Sequence, residues 1–200
     1  MKKILFATSE AVPFIKTGGL ADVAGSLPKF FDKEKYDVRV MLPKYMCMKE
    51  SWKEKLQYKT HFYMDLGWRT QYVGVLETEY EGVTFYFIDN EFYFNGFAPY
   101  GEMYTDVEKF SFFSKAVLSA FRPDIIHCHD WQTGLIPIFL DNFRYSNEYY
   151  RGIKTVMTIH NLKFQGMWDA KKVRDITGLP EYYFVPDKLT SYDDANMLKG

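Results

Sequence analysis

Cysteine is scarce in this chain: two residues, Cys47 and Cys128, stand far apart among 200. So few thiols build no disulfide framework, although a single bridge would be compatible with the count; the usage fits a reducing cytosol better than a secreted scaffold. No C-x-x-C occurs, which removes the commonest structural zinc pattern. Long apolar runs are missing too, and nothing approaches the roughly 20 residues of a membrane span. The basic, then apolar start (Met1-Lys2-Lys3-Ile4-Leu5-Phe6-Ala7-Thr8) is too short for a signal peptide and runs straight into Ser9-Glu10. Neither sign of charge prevails, since 25 Lys plus Arg face 26 Asp plus Glu, a net charge of −1. Such a balance offers no global field to nucleic acid or an anionic membrane, so phosphate recognition must be local. The expectation is a cytoplasmic protein without nucleic-acid or membrane partners.

What is plentiful is apolar and aromatic. Hydrophobic residues make up 47%, with 18 Phe, 16 Tyr and 4 Trp. A chain of this length buries roughly 70% of its unfolded surface and needs no metal or disulfide staple. The aromatics serve a large core and, in part, an amphipathic binding surface.

Residues 3–8 form a short apolar run followed by a polar, glycine-bearing loop, the pattern of a buried strand. Leu20, Val23, Ala24, Leu27, Phe30 and Phe31 recur at near-helical spacing over 20–31, with Pro28 set to kink or shorten that helix. Residues 38–42 predict a second strand, closed by Pro43. Between 60 and 88 three alternating runs, broken at Gly67-Trp68 and Glu81-Gly82, predict a small antiparallel insertion. The spacing over 106–121 predicts a helix with Asp106 as its N-cap. A short strand at 123–127, a helix from Gly134 and a strand at 154–159 follow. Strand–helix alternation of this kind predicts an α/β domain with a Rossmann-like, largely parallel sheet and helices on both faces. Ligands in such sheets bind beyond the carboxyl ends of strands.

Three loops occupy such ends. The first carries Lys16-Thr17-Gly18-Gly19 just before a helix, where free N–H groups and the helix field favour an anion and Lys16 adds a full charge. Its spacing is neither a P-loop nor a dinucleotide fingerprint, and a flexible turn with a solvated lysine fits the same residues. The second, His127-Cys128-His129-Asp130-Trp131, offers four adjacent metal ligands, but Cys128 points away from both histidines along an extended chain. No metal is expected there. Asp130 is placed either to hydrogen-bond sugar hydroxyls or to cap the helix starting near Gln132. The third loop is Thr158-Ile159-His160-Asn161, whose histidine reads as structural unless the three strand ends lie together. With no G-x-S-x-G elbow and no nucleophile–base pair, acyl-enzyme hydrolysis has little support.

These stretches together resemble the bacterial glycogen synthase and plant starch synthase family. The resemblance runs in order through Ser9-Glu10, Pro13, Lys16-Thr17-Gly18-Gly19-Leu20-Ala21-Asp22-Val23, Leu42-Pro43-Lys44-Tyr45 and Glu108-Lys109-Phe110. It continues through 123–131, Thr158-Ile159-His160-Asn161-Leu162 and Gln165-Gly166, over essentially all 200 residues. It implies the N-terminal, acceptor-side half of a retaining GT-B glycosyltransferase that moves glucose from ADP-glucose to the 4-hydroxyl at the non-reducing end of an α-1,4-glucan such as glycogen. Residues 1–200 would then be one domain, incomplete at its C-terminal end and lacking a C-terminal nucleotide-binding domain. Lys16, Gly18, Gly19 and Asn161 would contact the sugar nucleotide, with Asp130 and His160 at the transferred glucose as catalytic residues. No metal and no other cofactor is implied, because lysine, arginine and helix dipoles stabilise the leaving diphosphate. Asn95 stands where many members carry arginine. Another GT-B glycosyltransferase and a non-catalytic glucan-binding module are the alternative readings.

Overall fold

A computed structural model describes residues 1–200. The strand expected at 3–8 is β1 (Lys2–Ala7), and its last four residues are buried. Helix α1 (Gly19–Ser26) stops where a 3-10 turn, Leu27–Phe30, takes over with Pro28 at its start. A proline there needs no i−4 hydrogen bond, so the helix ends without strain. Strand β2 (Tyr36–Pro43) and a single turn, α2 (Glu50–Lys53), lead to the long hairpin β3 (Gln57–Leu66) and β4 (Arg69–Tyr80) and then to β5 (Val83–Asp89). The two turns expected at 67–68 and 81–82 are tight, with Gly67, Glu81 and Gly82 at positive φ. After a single turn, α3 (Glu91–Phe94), come α4 (Met103–Ala120), β6 (Ile125–His129), α5 (Leu135–Arg144) and β7 (Lys154–Thr158).

Helix α4 begins three residues before the expected start, and Asp106 is not its cap. That carboxylate instead accepts the Gly101 N–H at 2.8 Å and pairs with Lys109 at 2.7 Å. An aspartate inside the first turn still suits the positive end of a helix.

The main sheet has the order β3-β4-β5-β2-β1-β6-β7. The pairs from β5 through to β7 are parallel, and the two pairs involving β4 are antiparallel. The antiparallel strands expected over 60–88 thus prolong one edge of the parallel sheet, with β5 shared by both parts. Chain order reverses at β1, whose neighbours are β2 on one side and β6 on the other. Right-handed connections then put α1 on one face and α4 with α5 on the other, and α4 does pack on α5. Phe6, Phe85, Phe87, Phe110, Phe113 and Phe139 are buried between these layers. A second, small antiparallel sheet of β8 (Met167–Asp169), β9 (Thr190–Ser191) and β10 (Asp194–Asn196) follows, with α6 (Ala170–Thr177) between β8 and β9. No helix is long and apolar enough to cross a membrane. Cys47 and Cys128 are both free, the latter fully buried.

Candidate active site

The carboxyl ends of β1, β6 and β7 are adjacent, and the three loops singled out above leave from them. Beyond these ends lies a cavity of about 730 Å³, lined by Gly18, Gly19, Asp130, His160 and Asn161 among others. This is the switch point of the strand order, where an open α/β sheet leaves a crevice.

The loop after β1 is folded back on itself. Phe14 is buried against Trp52, Phe85 and Phe87, and the Val12 N–H reaches the Ala21 carbonyl at 3.0 Å. Buried Glu10 then holds the end of the loop, accepting both the N–H and the hydroxyl of Thr17. That fixes where Gly18 and α1 begin. No side chain caps the α1 N-terminus. Gly18 has extended backbone (φ −153°), and a Cβ on Gly19 would meet nothing within 4 Å. The fold itself therefore requires neither glycine. Lys16 does not line the cavity: its Nζ lies 2.7 Å from Asp22, and both side chains are about half exposed.

Asp130 follows β6 directly. Its φ of 57° and ψ of −177° fall in a region that side-chain-bearing residues avoid, at a cost of about 1–3 kcal/mol. It does not cap the following turn. Its N–H donates to the Thr158 carbonyl at 3.0 Å, and Oδ1 accepts the N–H groups of His160 (2.6 Å) and Asn161 (3.3 Å). The carboxylate of this backbone-strained residue thus aligns the loop after β7. Neighbouring Trp131 is buried edge-on against Phe110. Gly166, at φ +63°, passes so close that a Cβ would sit 2.3 Å from the Trp131 ring, so only glycine fits.

His127 and His129 lie on the same side of β6 with rings 4.3 Å apart, while Cys128 is buried on the other, as strand alternation requires. His129 Nδ1 is 2.9 Å from His160 Nε2, and His127 Nε2 is 2.7 Å from the Thr158 hydroxyl. Burial, with His127 and His160 adding to it, pushes the His129 pKa down to about 3. Burial lowers His127 too. Both imidazoles are neutral at pH 7. No three His, Cys, Asp or Glu side chains converge as a metal set.

Sequence reasoning missed Glu10, Thr17, Tyr100, Asp106 and Gln132, which also line the cavity. Tyr100 arrives from the 94–101 loop, its hydroxyl 2.7 Å from Ser9 Oγ, and burial beside Glu10 raises its pKa. Asn95 lies outside this cavity. Gln132 is buried, with its carbonyl oxygen unpaired within the protein. Such a residue follows Asp130-Trp131 in sequence, but only the fold shows that it lines the cavity.

Residues 3–200 match the family model described as the starch synthase catalytic domain. The chain belongs to that family. It is 69% identical to a glycogen synthase of Lachnospira eligens and 67% identical to one of Lachnoclostridium phytofermentans. All of the chain aligns with 43% of each, so it spans less than half the length of these relatives. Among solved structures, the catalytic domain of starch synthase IV from Arabidopsis thaliana, bound to ADP and acarbose, superposes with a TM-score of 0.86 at 29% identity. That superposition covers 100% of this chain and 42% of the plant chain.

Proposed function

We propose that these 200 residues form the N-terminal, acceptor-side domain of a glycogen synthase. Its reaction is the transfer of glucose from ADP-glucose to the 4-hydroxyl at the non-reducing end of an α-1,4-glucan, with retention. The carrying observation is the cavity itself, where an uncapped helix N-terminus with two glycines that the fold does not need faces Asp130 and His160. Glycines without a structural reason fit close approach by a ligand backbone or phosphate. Gly18 and Gly19 would take the diphosphate. Lys16 would exchange Asp22 for it, since an exposed ion pair is worth only about 0–1 kcal/mol. Asp130 and His160 would meet the glucosyl unit, and Asn161 the sugar nucleotide. Lys16 and the α1 N-terminus would meet the leaving charge as preorganised donors, without a metal. A cytoplasmic location accords with two free thiols. The plant structure holds ADP and acarbose, a nucleotide and an oligosaccharide analogue, in agreement with this assignment.

The test is a chimera in which these residues replace the matching 43% of the Lachnospira eligens glycogen synthase. Labelled glucose should pass from ADP-glucose to glycogen in the parent chimera and fall at least a hundredfold in Asp130→Asn, which loses the charge-assisted hold on His160 and Asn161. An active chimera indifferent to Asp130→Asn would remove the aspartate from the site. Retention on glycogen with no transfer would favour the binding-module reading.

A further inference from the structure

His129 is fully buried behind His160 and has no place in the reaction just described. Its ring lies nearly coplanar with that of His160 (18° between planes), and Nδ1 and Nε2 of the two residues share one hydrogen bond of 2.9 Å. The other His129 nitrogen, Nε2, is buried with no partner. Only one proton can occupy the shared bond, so two tautomer pairs are available. If His160 donated, His129 would have to carry its proton on Nε2, a buried donor without an acceptor. Phe6 and His127 cannot accept it through their ring faces, because both rings stack over the imidazole (28° and 27°) and the N–H lies in its plane. If His129 donates, Nε2 is merely a bare acceptor, the less costly of the two defects. Burial holds His129 neutral, so a doubly protonated ring does not compete.

We propose that His129 is a positioning residue: its Nδ1–H donates to His160 Nε2, which locks His160 in the Nδ1–H tautomer and presents the cavity with a hydrogen-bond donor. Such a donor suits a hydroxyl or ring oxygen of a sugar, and this half of the proposal rests on the glucosyl reading of the cavity. His160 has no other side-chain bond within the chain, so His129 alone selects its tautomer and ring orientation.

The chain has four histidines, which makes long-range proton–nitrogen NMR of the ¹⁵N-histidine-labelled chain directly readable. At pH 7 His160 and His129 should both show protonated Nδ1 and bare Nε2, with His160 assigned by its loss in His160→Ala. His129→Asn keeps an N–H donor at the Nδ1 position and should leave the His160 pattern unchanged. His129→Leu removes the donor and should turn His160 to a mixture led by the Nε2–H form. A parent spectrum with Nε2–H on His160 overturns the proposal, and so does a His129→Leu variant, folded by its amide spectrum, in which His160 is unaltered. Should His129→Leu not fold, the parent and His129→Asn spectra decide alone. The tautomer is read without substrate, so it can fail while the glucosyl reading stands, and the converse holds for the chimera assay.

Discussion

A buried neutral histidine leaves a mark on stability as well as on chemistry. In the unfolded chain His129 takes up a proton near its ordinary pKa of 6.5, whereas in the fold it stays neutral until about 3. Its contribution is therefore fully present above pH 6.5 and drains away as pH falls toward 3, by about 1.4 kcal/mol per pH unit. Between pH 7 and 5 this amounts to about 2 kcal/mol, and His127, shifted the same way, adds to it. Urea unfolding at the two pH values should show that loss, and His129→Leu should reduce it. Lys16 belongs to the same scale. Lys16→Gln should leave unfolding almost unchanged, because its partner Asp22 is half exposed, yet cost about 1.5–3 kcal/mol in ADP-glucose use by the chimera. A penalty confined to varied glycogen would place Lys16 on the acceptor instead. Asp130, His160 and the glycine pair stood out in the sequence because they lie in the loops that leave strand ends, where an α/β sheet binds ligands. Tyr100 did not, since it becomes a wall of the cavity only when its distant loop folds against Ser9, and no spacing signal marks Glu10 or Gln132.

At the scale of elements, the two glycines at helix starts should behave oppositely. A Cβ on Gly134 would stand 1.9 Å from the Met197 carbonyl, where the 3-10 turn Met197–Lys199 docks on the start of α5. Gly134→Ala should therefore destabilise the chain by about 1–3 kcal/mol or expel that turn, read from thermal unfolding. Gly19→Ala meets open space and removes a flexible residue from a helix, so stability should hold or rise by up to about 1 kcal/mol. If the diphosphate rests on that turn, the same change should lower ADP-glucose use in the chimera at least tenfold. Equal activity would detach the glycines from the donor. The main strands were legible from short Val/Ile/Phe runs and punctuating Gly and Pro. The start of α4 was misplaced because Asp106 spends its carboxylate on Gly101 and Lys109 rather than on a cap. Strands of two or three residues, such as β8 to β10, have no period to detect, and that small sheet was invisible.

For the whole molecule, topology does the placing. Reversal of strand order at β1 brings the ends of β1, β6 and β7 side by side, and with them residues 18–19, 130 and 160–161. That convergence is the central claim, and amide NMR of the 200-residue chain titrated with ADP-glucose tests it most directly. On the proposed reading these residues supply one wall of a larger cleft, so affinity should be no tighter than about 1 mM, near −4 kcal/mol. The account predicts that the Gly18, Gly19, His160 and Asn161 amides shift together along one binding curve of that strength. Shifts confined to another surface, such as the smaller cavity between Lys44, Asp89 and Asn95, with those four amides unmoved, would contradict it.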